Sequence, residues 1–315
     1  MSRCSNILII IDIKHLKIVA KRCLTSKGSK MVHTKDIHSI VHQLIQRDLI
    51  DSASTLNHKM NGTTDGWVYT LTVNEEPTYV LKLDNPANIW LAEQFHITYQ
   101  DNLLLPKLYY TASDKTWMVY AYIKGTTHYN RGSKIKWLSL LVTGFLNDYQ
   151  KDTHTAQWGR LAEPCNSWLE FNLRGLKGAR RNIGNLLPVE DYNKVNSLIE
   201  RISNVEQKYL LHGDIGVHNF VFSDSVLTGI IDPSPVSGPI IYDFAYAFCS
   251  SPDDLNLDTL FTAFALLHNQ SIEKSRLIEE VALQLYCRIG ICANVHPHDL
   301  NDYLKAWDYW RTLIS

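Results

Sequence analysis

Apolar and polar positions alternate in "WVYTLTV", where Trp67, Tyr69, Leu71 and Val73 share one face and Val68, Thr70 and Thr72 the other. A period of two predicts a half-buried β-strand. "EEP" then supplies a turn and "TYVLKLD" a second strand, so 67–84 is predicted as an antiparallel hairpin. Asn85-Pro86 ends the hairpin, and 87–100 reads as a helix. "LLLPKLYYTA" and "WMVYAYIKG" read as two further strands around a turn at Ser113-Asp114-Lys115, the second closed by Gly125. Upstream, Ile37, Ile40, Val41, Leu44 and Ile45 recur at helical spacing and predict a helix near 35–47, with Thr34 as its N-cap. Segment 50–125 is therefore expected to be a small sheet with one helix inserted.

Beyond Gly125 the period lengthens. Segments 134–150, 166–184 and 189–207 are predicted helices, followed by a short hairpin (220–223 and 226–231) and helices to the end. One of these, near 256–268, carries Leu257, Leu260, Phe261, Phe264 and Leu267 on one face. The pattern predicts a β-rich N-lobe over 31–125, joined by one short crossing to an α-rich C-lobe over 126–315, with a ligand cleft between them. Residues 1–30 differ: they carry basic residues but neither turn logic nor an amphipathic period. They read either as a non-native upstream extension, with the natural start at Met31, or as a genuine but poorly ordered N-terminal arm.

Composition adds mainly exclusions. Apolar content is 45%, charged content 20% and net charge −1, so no bulk basic field is directed at nucleic acid or an anionic membrane. Cys4, Cys23, Cys165, Cys249, Cys287 and Cys292 form no CxxC pair, zinc spacing or disulfide framework. They read as small hydrophobes or thiols in a reducing compartment. The run Ile7–Ile11 is too short for a signal core and meets Asp12 and Lys14 at once. A cytoplasmic protein with no membrane partner is expected.

The chemistry gathers in "LLHGDIGVHNFVF", where an apolar strand runs into His212, Gly213 and Asp214. Asn219 follows Asp214 by five residues, and Asp232, in "GIIDP", follows Asn219 by thirteen. Two carboxylates and a carboxamide at strand ends suit Mg²⁺, which takes hard oxygen ligands together with substrate phosphates. Phosphoryl transfer needs metal, positioning and a carboxylate to accept the attacking hydroxyl's proton. Asp214 fits the base, and Asn219 with Asp232 fits the metal. Upstream, "MNGTTDGW" is a glycine-bearing turn in which Gly62 and Gly66 would let backbone N–H groups, at Gly62, Thr63 and Thr64, approach phosphate oxygens. Lys82 lies on the strand face opposite Leu81 and Leu83, within reach of phosphates under that turn, and Glu93 on the next helix is expected to orient it by an ion pair.

Other residues read more plainly. His218 reads as a loop bystander. His296 and His298 in "VHPHD" have metal-like spacing but no third ligand nearby, and read as a solvated loop. The acidic "SSPDD" reads as a polar loop, with Asp253 or Asp254 against an acceptor as the alternative.

"HGDIGVHN" followed by "IIDPSPVSGPIIYDFAYAF" resembles the aminoglycoside phosphotransferase and small-molecule kinase family, over roughly residues 35–315. The resemblance implies an α+β, two-lobed protein-kinase-like fold with a nucleotide-binding N-lobe and a catalytic, acceptor-binding C-lobe. It implies Asp214 as catalytic base, His212 as the brace of the catalytic loop, Asn219 and Asp232 as Mg²⁺ ligands, and Lys82 as the contact to ATP phosphates. It further implies that the backbone of Ala121–Ile123 faces adenine and that Asp243, in "YDFA", fixes the loop from a helix start. His212-Gly213-Asp214 and Asp232-Pro233-Ser234 stand where protein kinases carry H-R-D and D-F-G, which favours the small-molecule branch. One departure stands out: Gly238-Pro239 replaces the family's frequent Gly-Asp, which puts the rigidity of the metal-site turn in doubt.

The expected function is an ATP- (or GTP-) and Mg²⁺-dependent kinase of a small hydroxylated molecule. Aminoglycosides, other antibiotics, sugars and amino alcohols remain open as acceptors. Residues 245–315 hold nine acidic and five basic side chains, mildly favouring a cationic acceptor. A nucleotide-binding regulatory pseudokinase is the alternative. A protein kinase is disfavoured, because only ten residues separate Asp232 from Asp243, too few for a peptide-docking segment.

Overall fold

The computed structural model describes residues 29–60, 66–268, 272–295 and 297–314. Helix α1 (Ser29–Gln46) leads into β1 (Ser54–Met60), β2 (Trp67–Val73) and β3 (Glu76–Leu83). Then come α2 (Pro86–Thr98), β4 (Leu108–Thr111) and β5 (Trp117–Ala121). All pairings are antiparallel and the strand order is β1-β2-β3-β5-β4. The 67–84 hairpin stands where the alternation places it. Its turn, however, is Asn74-Glu75, with φ of 50° and 70°, rather than "EEP". A two-residue hairpin turn needs positive φ at both positions, and asparagine tolerates it.

Both faces of this sheet are covered. Ile37, Val41 and Leu44 of α1 pack on Tyr69, Leu71, Leu81 and Val119. Val80, Met118 and Tyr120 on the other face meet Ile89 and Ala92 of α2. Helix α1 begins by Ser29, so Thr34 lies inside it and is not the cap expected from the sequence. Nothing between Ser29 and Gln46 is Gly or Pro, so the chain has no reason to delay the helix to residue 35. The reading of residues 1–30 concerns a segment that, up to residue 28, lies outside the described residues. Helix α2 opens with Pro86 at its first position, and the Asn85 side chain accepts the Asn88 N–H at 2.9 Å.

Strand β6 (Thr126–Thr127) opens the C-lobe, followed by α3 (Lys134–Gly144), β7 (Gly159–Arg160), α4 (Trp168–Ile183) and α5 (Val189–Ile202). Strands β8 (Tyr209–Leu211), β9 (Phe220–Ser223), β10 (Val226–Ile230) and β11 (Val236–Gly238) carry the site. Helices α6 (Ile240–Phe248), α7 (Leu257–Phe264), α8 (Lys274–Val295) and α9 (Leu300–Trp310) complete the lobe. The predicted 220–231 hairpin is β9–β10, which joins β6 in one small sheet, while β7, β11 and β8 form another. Leu260 and Leu267 of the predicted apolar face are buried, with Leu257, Phe261 and Phe264 packed beside them.

The lobes are fastened by α2. Phe95 and Tyr99 at its end belong to the C-lobe core. The Tyr99 hydroxyl donates to the Leu210 carbonyl on β8 and accepts the Gln150 N–H at 3.1 Å. The strand that leads into His212-Gly213-Asp214 is thereby pinned to the helix beneath the N-lobe sheet. Among the described residues no helix is long and apolar enough to cross a membrane.

Candidate active site

Strand β8 ends at Leu211, and the chain turns through His212, Gly213 and Asp214 into a short 3₁₀ turn over Val217–Asn219. Gly213 explains why a glycine sits there. Its φ is +75°, and a Cβ would lie 2.2 Å from the Ser234 carbonyl oxygen and 2.6 Å from Val236 Cγ2. Gly213→Ala should therefore cost on the order of 3–5 kcal/mol, the sum of left-handed strain and overpacking. Chemical denaturation measures this directly. Stability equal to the parent protein would mean that the loop does not take this conformation.

His212 is fully buried and bridges the two halves of the site. Its Nδ1 accepts the Asp214 N–H at 3.3 Å, so Nε2 carries the proton and donates to the Ile231 carbonyl at 3.1 Å. Its ring meets Phe95 edge-on at 5.6 Å. Ile231 N–H in turn donates to the Asn219 carbonyl at 2.9 Å. Ile231, which precedes Asp232, is thus held by both His212 and Asn219. His212 ties the Asp214 amide to the Ile231 carbonyl.

Asp214 is 3% exposed, and three side chains orient its carboxylate. Tyr246 Oη donates to Oδ1 at 2.8 Å, and His218 Nε2 stands 3.2 Å from the same oxygen. Asn219 Nδ2 donates to Oδ2 at 3.1 Å and to the Asp214 carbonyl at 2.8 Å. With the NH₂ end of Asn219 turned to Asp214, the other end of the carboxamide is an acceptor oxygen, the atom a hard cation takes. His218, read from sequence as a bystander, is in contact with the candidate base. The i,i+4 spacing from Asp214 was the available signal, but in an irregular loop such spacing carries no geometry.

Behind the loop, Asp243 in the first turn of α6 is fully buried. Tyr149 Oη donates to it at 2.6 Å, and the Gly213 N–H lies 3.2 Å from both carboxylate oxygens. Burial pushes this carboxyl up to about 6, and the donors from Tyr149 and Gly213 oppose the rise. Tyr149 also accepts the His212 N–H at 3.1 Å. Asp243 therefore holds the loop from a helix start, the arrangement that the resemblance implies.

Asp232 follows β10 with φ of 59°, a left-handed conformation uncommon outside glycine and found at functional turns. Lys82 reaches across from β3, and its ammonium donates to Asp232 Oδ1. Lys82 is cross-strand from Val68 and Met118, on the face shared with Val80. The expected partner is a correction: Glu93 does not meet Lys82 but pairs with Lys115 Nζ at 2.6 Å. The phase of α2 is the reason. Ile89 and Ala92 pack with Val80, Met118 and Tyr120, and His96, four residues past Ala92, continues the middle of that face, while Glu93 lies on its flank, toward Lys115. His96 is 4% exposed and stacks on Tyr120 at 5.8 Å. Burial first, and the Lys82 charge second, hold its imidazole down to about 4. It is thus neutral near pH 7.

The crossing segment narrows the adenine-facing reading. Ala121 N–H donates to the Lys107 carbonyl at 2.8 Å and Tyr122 N–H to Thr78 at 2.9 Å. Sheet pairing thereby takes up two of the three amides in Ala121–Ile123. The Ile123 side chain packs over Gly229 on β10, where a Cβ would be 2.4 Å from Ile123 Cδ1. Gly62, Thr63 and Thr64 lie outside the described residues, as does His296. His298 pairs with Asp299 at 3.5 Å, and Asp253 pairs with Arg131 at 3.1 Å.

The Gly238-Pro239 departure leaves the metal-site turn tied at other points. Ser234 N–H donates to the His212 carbonyl at 2.9 Å, Arg160 Nη1 donates to Ser234 Oγ at 2.9 Å, and β11 pairs with both β7 and β8. Among the described residues no group of three or more His, Cys, Asp or Glu forms an all-protein metal cage. Asn219 and Asp232 supply hard oxygens that fit Mg²⁺ completed by phosphate oxygens.

No protein-family model matches this chain, and no curated protein does. Solved structures do. The ethanolamine kinase of Plasmodium vivax aligns over 98% of this chain and 98% of its own, at 12% identity and a TM-score of 0.56. A choline kinase from Cryptosporidium parvum aligns over 88% and 95%, at 10% identity and a TM-score of 0.56. An ADP-bound aminoglycoside phosphotransferase aligns over 87% and 98%, at 16% identity and a TM-score of 0.54. The chain has the two-lobed protein-kinase-like fold of these small-molecule kinases.

Proposed function

We propose that the protein is a phosphotransferase that uses ATP or GTP with Mg²⁺ to phosphorylate a hydroxyl of a small molecule. One observation carries this reading: Asn219 is hydrogen-bonded to Asp214, Lys82 is paired with Asp232, and the Ile231 N–H, next to Asp232 in the chain, donates to the Asn219 carbonyl at 2.9 Å. Asp214, oriented by Tyr246, His218 and Asn219, aligns the acceptor hydroxyl and accepts its proton. Lys82 holds phosphate oxygens, and the Ile123 backbone with the turn at Gly62, Thr63 and Thr64 holds the remainder of the nucleotide. Asn219 and Asp232 would hold Mg²⁺, which supplies neutralising charge for the phosphates when bound. His212 and Asp243 keep the loop in register. Preorganised groups of this kind contribute by positioning and electrostatics, which is most of what phosphoryl transfer asks of a protein.

The test is a transfer screen with γ-labelled ATP and GTP, Mg²⁺ and a panel of aminoglycosides, other antibiotics, sugars, amino alcohols and hydroxy acids. Label should pass to a small molecule. Nucleotide binding with no labelled product from any acceptor would instead support the regulatory pseudokinase.

A further inference from the structure

A pocket opens in the C-lobe between β7, α4, α6 and α8. It stands one side chain from the candidate base. Tyr246 lines it, and the same Tyr246 donates its hydroxyl to Asp214 Oδ1 at 2.8 Å. Phe171 and Tyr242 add aromatic wall. The polar lining is unusual in sign: Arg160 and Arg288 both face the pocket, and no Asp or Glu does.

Arg288 is 7% exposed and forms no ion pair among the described residues. Its guanidinium donates to neutral oxygens, Tyr303 Oη at 3.2 Å and the Ser250 carbonyl at 3.2 Å, and lies over the Tyr303 ring at 5.6 Å. A guanidinium keeps its charge in any protein environment, and a buried charge without a counter-charge is costly. Gln284, 8% exposed, lines the same pocket, and its carboxamide makes no hydrogen bond among the described residues. A nearly buried guanidinium without a counter-charge describes a site suited to a ligand that brings negative charge.

We infer that the acceptor is a hydroxylated compound carrying an oxyanion, a carboxylate or a phosphate, which Arg288 and Arg160 hold while its hydroxyl is presented past Tyr246 to Asp214. The inference rests on the kinase reading and reverses the cationic acceptor suggested by the charge of residues 245–315. The reason for the reversal is local. Five of those nine acids are engaged elsewhere: Glu280 with Arg276, Glu279 with Arg201, Asp253 with Arg131, Asp302 with Lys305 and Asp308 with Arg311. A regional surplus of carboxylates therefore leaves a pocket that is cationic. An ammonium-bearing acceptor would enter against two guanidinium groups, with Asp214 already committed to the reacting hydroxyl.

The experiment compares matched acceptors on one carbon skeleton: a neutral polyol, its amine, its carboxylic acid and its monophosphate. ADP release with ATP and Mg²⁺ is the readout, and thermal protection by each compound without nucleotide is measured in parallel. The oxyanion compounds should exceed the polyol in kcat/KM by roughly tenfold or more, with the amine below it, because charge-assisted guanidinium bonds are the strong ones. The better of the acid and the monophosphate identifies the anion. Arg160→Gln should erase most of that preference through KM. It sits on the partly exposed β7, so the comparison survives even if Arg288→Gln fails to fold. Transfer that favours amines, or an oxyanion preference untouched by Arg160→Gln, overturns the inference and leaves the kinase reading standing. Protection by oxyanions with no transfer to any acceptor keeps the anion site and overturns the kinase reading.

Discussion

Asp214→Asn is expected to abolish phosphoryl transfer while leaving nucleotide binding close to that of the parent protein. The carboxamide has the same shape, and its oxygen still accepts from one of the donors Tyr246, His218 and Asn219. What it lacks is a site for the acceptor's proton. General-base assistance is worth about 10²–10⁴ in rate, so turnover should fall by on the order of a thousandfold. Binding should survive, because Lys82 and Asp232 are untouched, Asn219 keeps its bond to the residue 214 carbonyl at 2.8 Å, and His212 bonds the backbone N–H of residue 214. Labelled transfer to an acceptor from the screen, with nucleotide titration in parallel, decides it. Turnover within about tenfold of the parent would remove Asp214 from the role of base.

The divide between what was legible in the chain and what was not follows range. The alternation of Trp67 to Val73 and the strand-end placement of Asp214, Asn219 and Asp232 are local properties, and the hairpins stand where the alternation indicates. Thr34 and the turn at Asn74-Glu75 show the next limit, where several residues suit a boundary and only the packed chain selects one. Glu93 shows the limit of charge logic. Opposite charges make a pair plausible, but the rotation of α2 puts Glu93 on Lys115 and His96 near Lys82. Tyr246, Tyr149, Arg160 and Arg288 were out of reach for the same reason. Each acts on a residue or pocket assembled from distant segments, so no spacing along the chain encodes it. The pocket's charge is the clearest case, because the count over 245–315 has the opposite sign to the lining.

Lys82→Met should leave the protein folded and cut transfer by roughly a hundredfold or more, a few kcal/mol of transition-state stabilisation. Lys82 lies between Val68 and Met118 in the register of the sheet and is 7% exposed. Methionine fills the same space on that apolar strand face, so packing changes little. The loss falls on charge. Removing one partner of a fully buried pair costs about 3–5 kcal/mol. The Asp232 side chain is 28% exposed, however, so water takes over part of the Lys82 contact. A cost of about 1–2 kcal/mol is the corresponding expectation, visible as a drop of a few degrees in Tm. The rate loss should be larger, because an ammonium beside phosphates in a partly dry cleft acts on charge that water reaches poorly. A third readout separates the site from the scaffold. His96 is held down to about 4 by burial and then by the Lys82 charge, so its pKa should rise in Lys82→Met while burial keeps it below the usual histidine range. NMR titration of His96 follows this without any acceptor. A Tm collapse would make the lysine structural. An unchanged rate with a shifted His96 would leave Lys82 in the cleft but remove it from the phosphates.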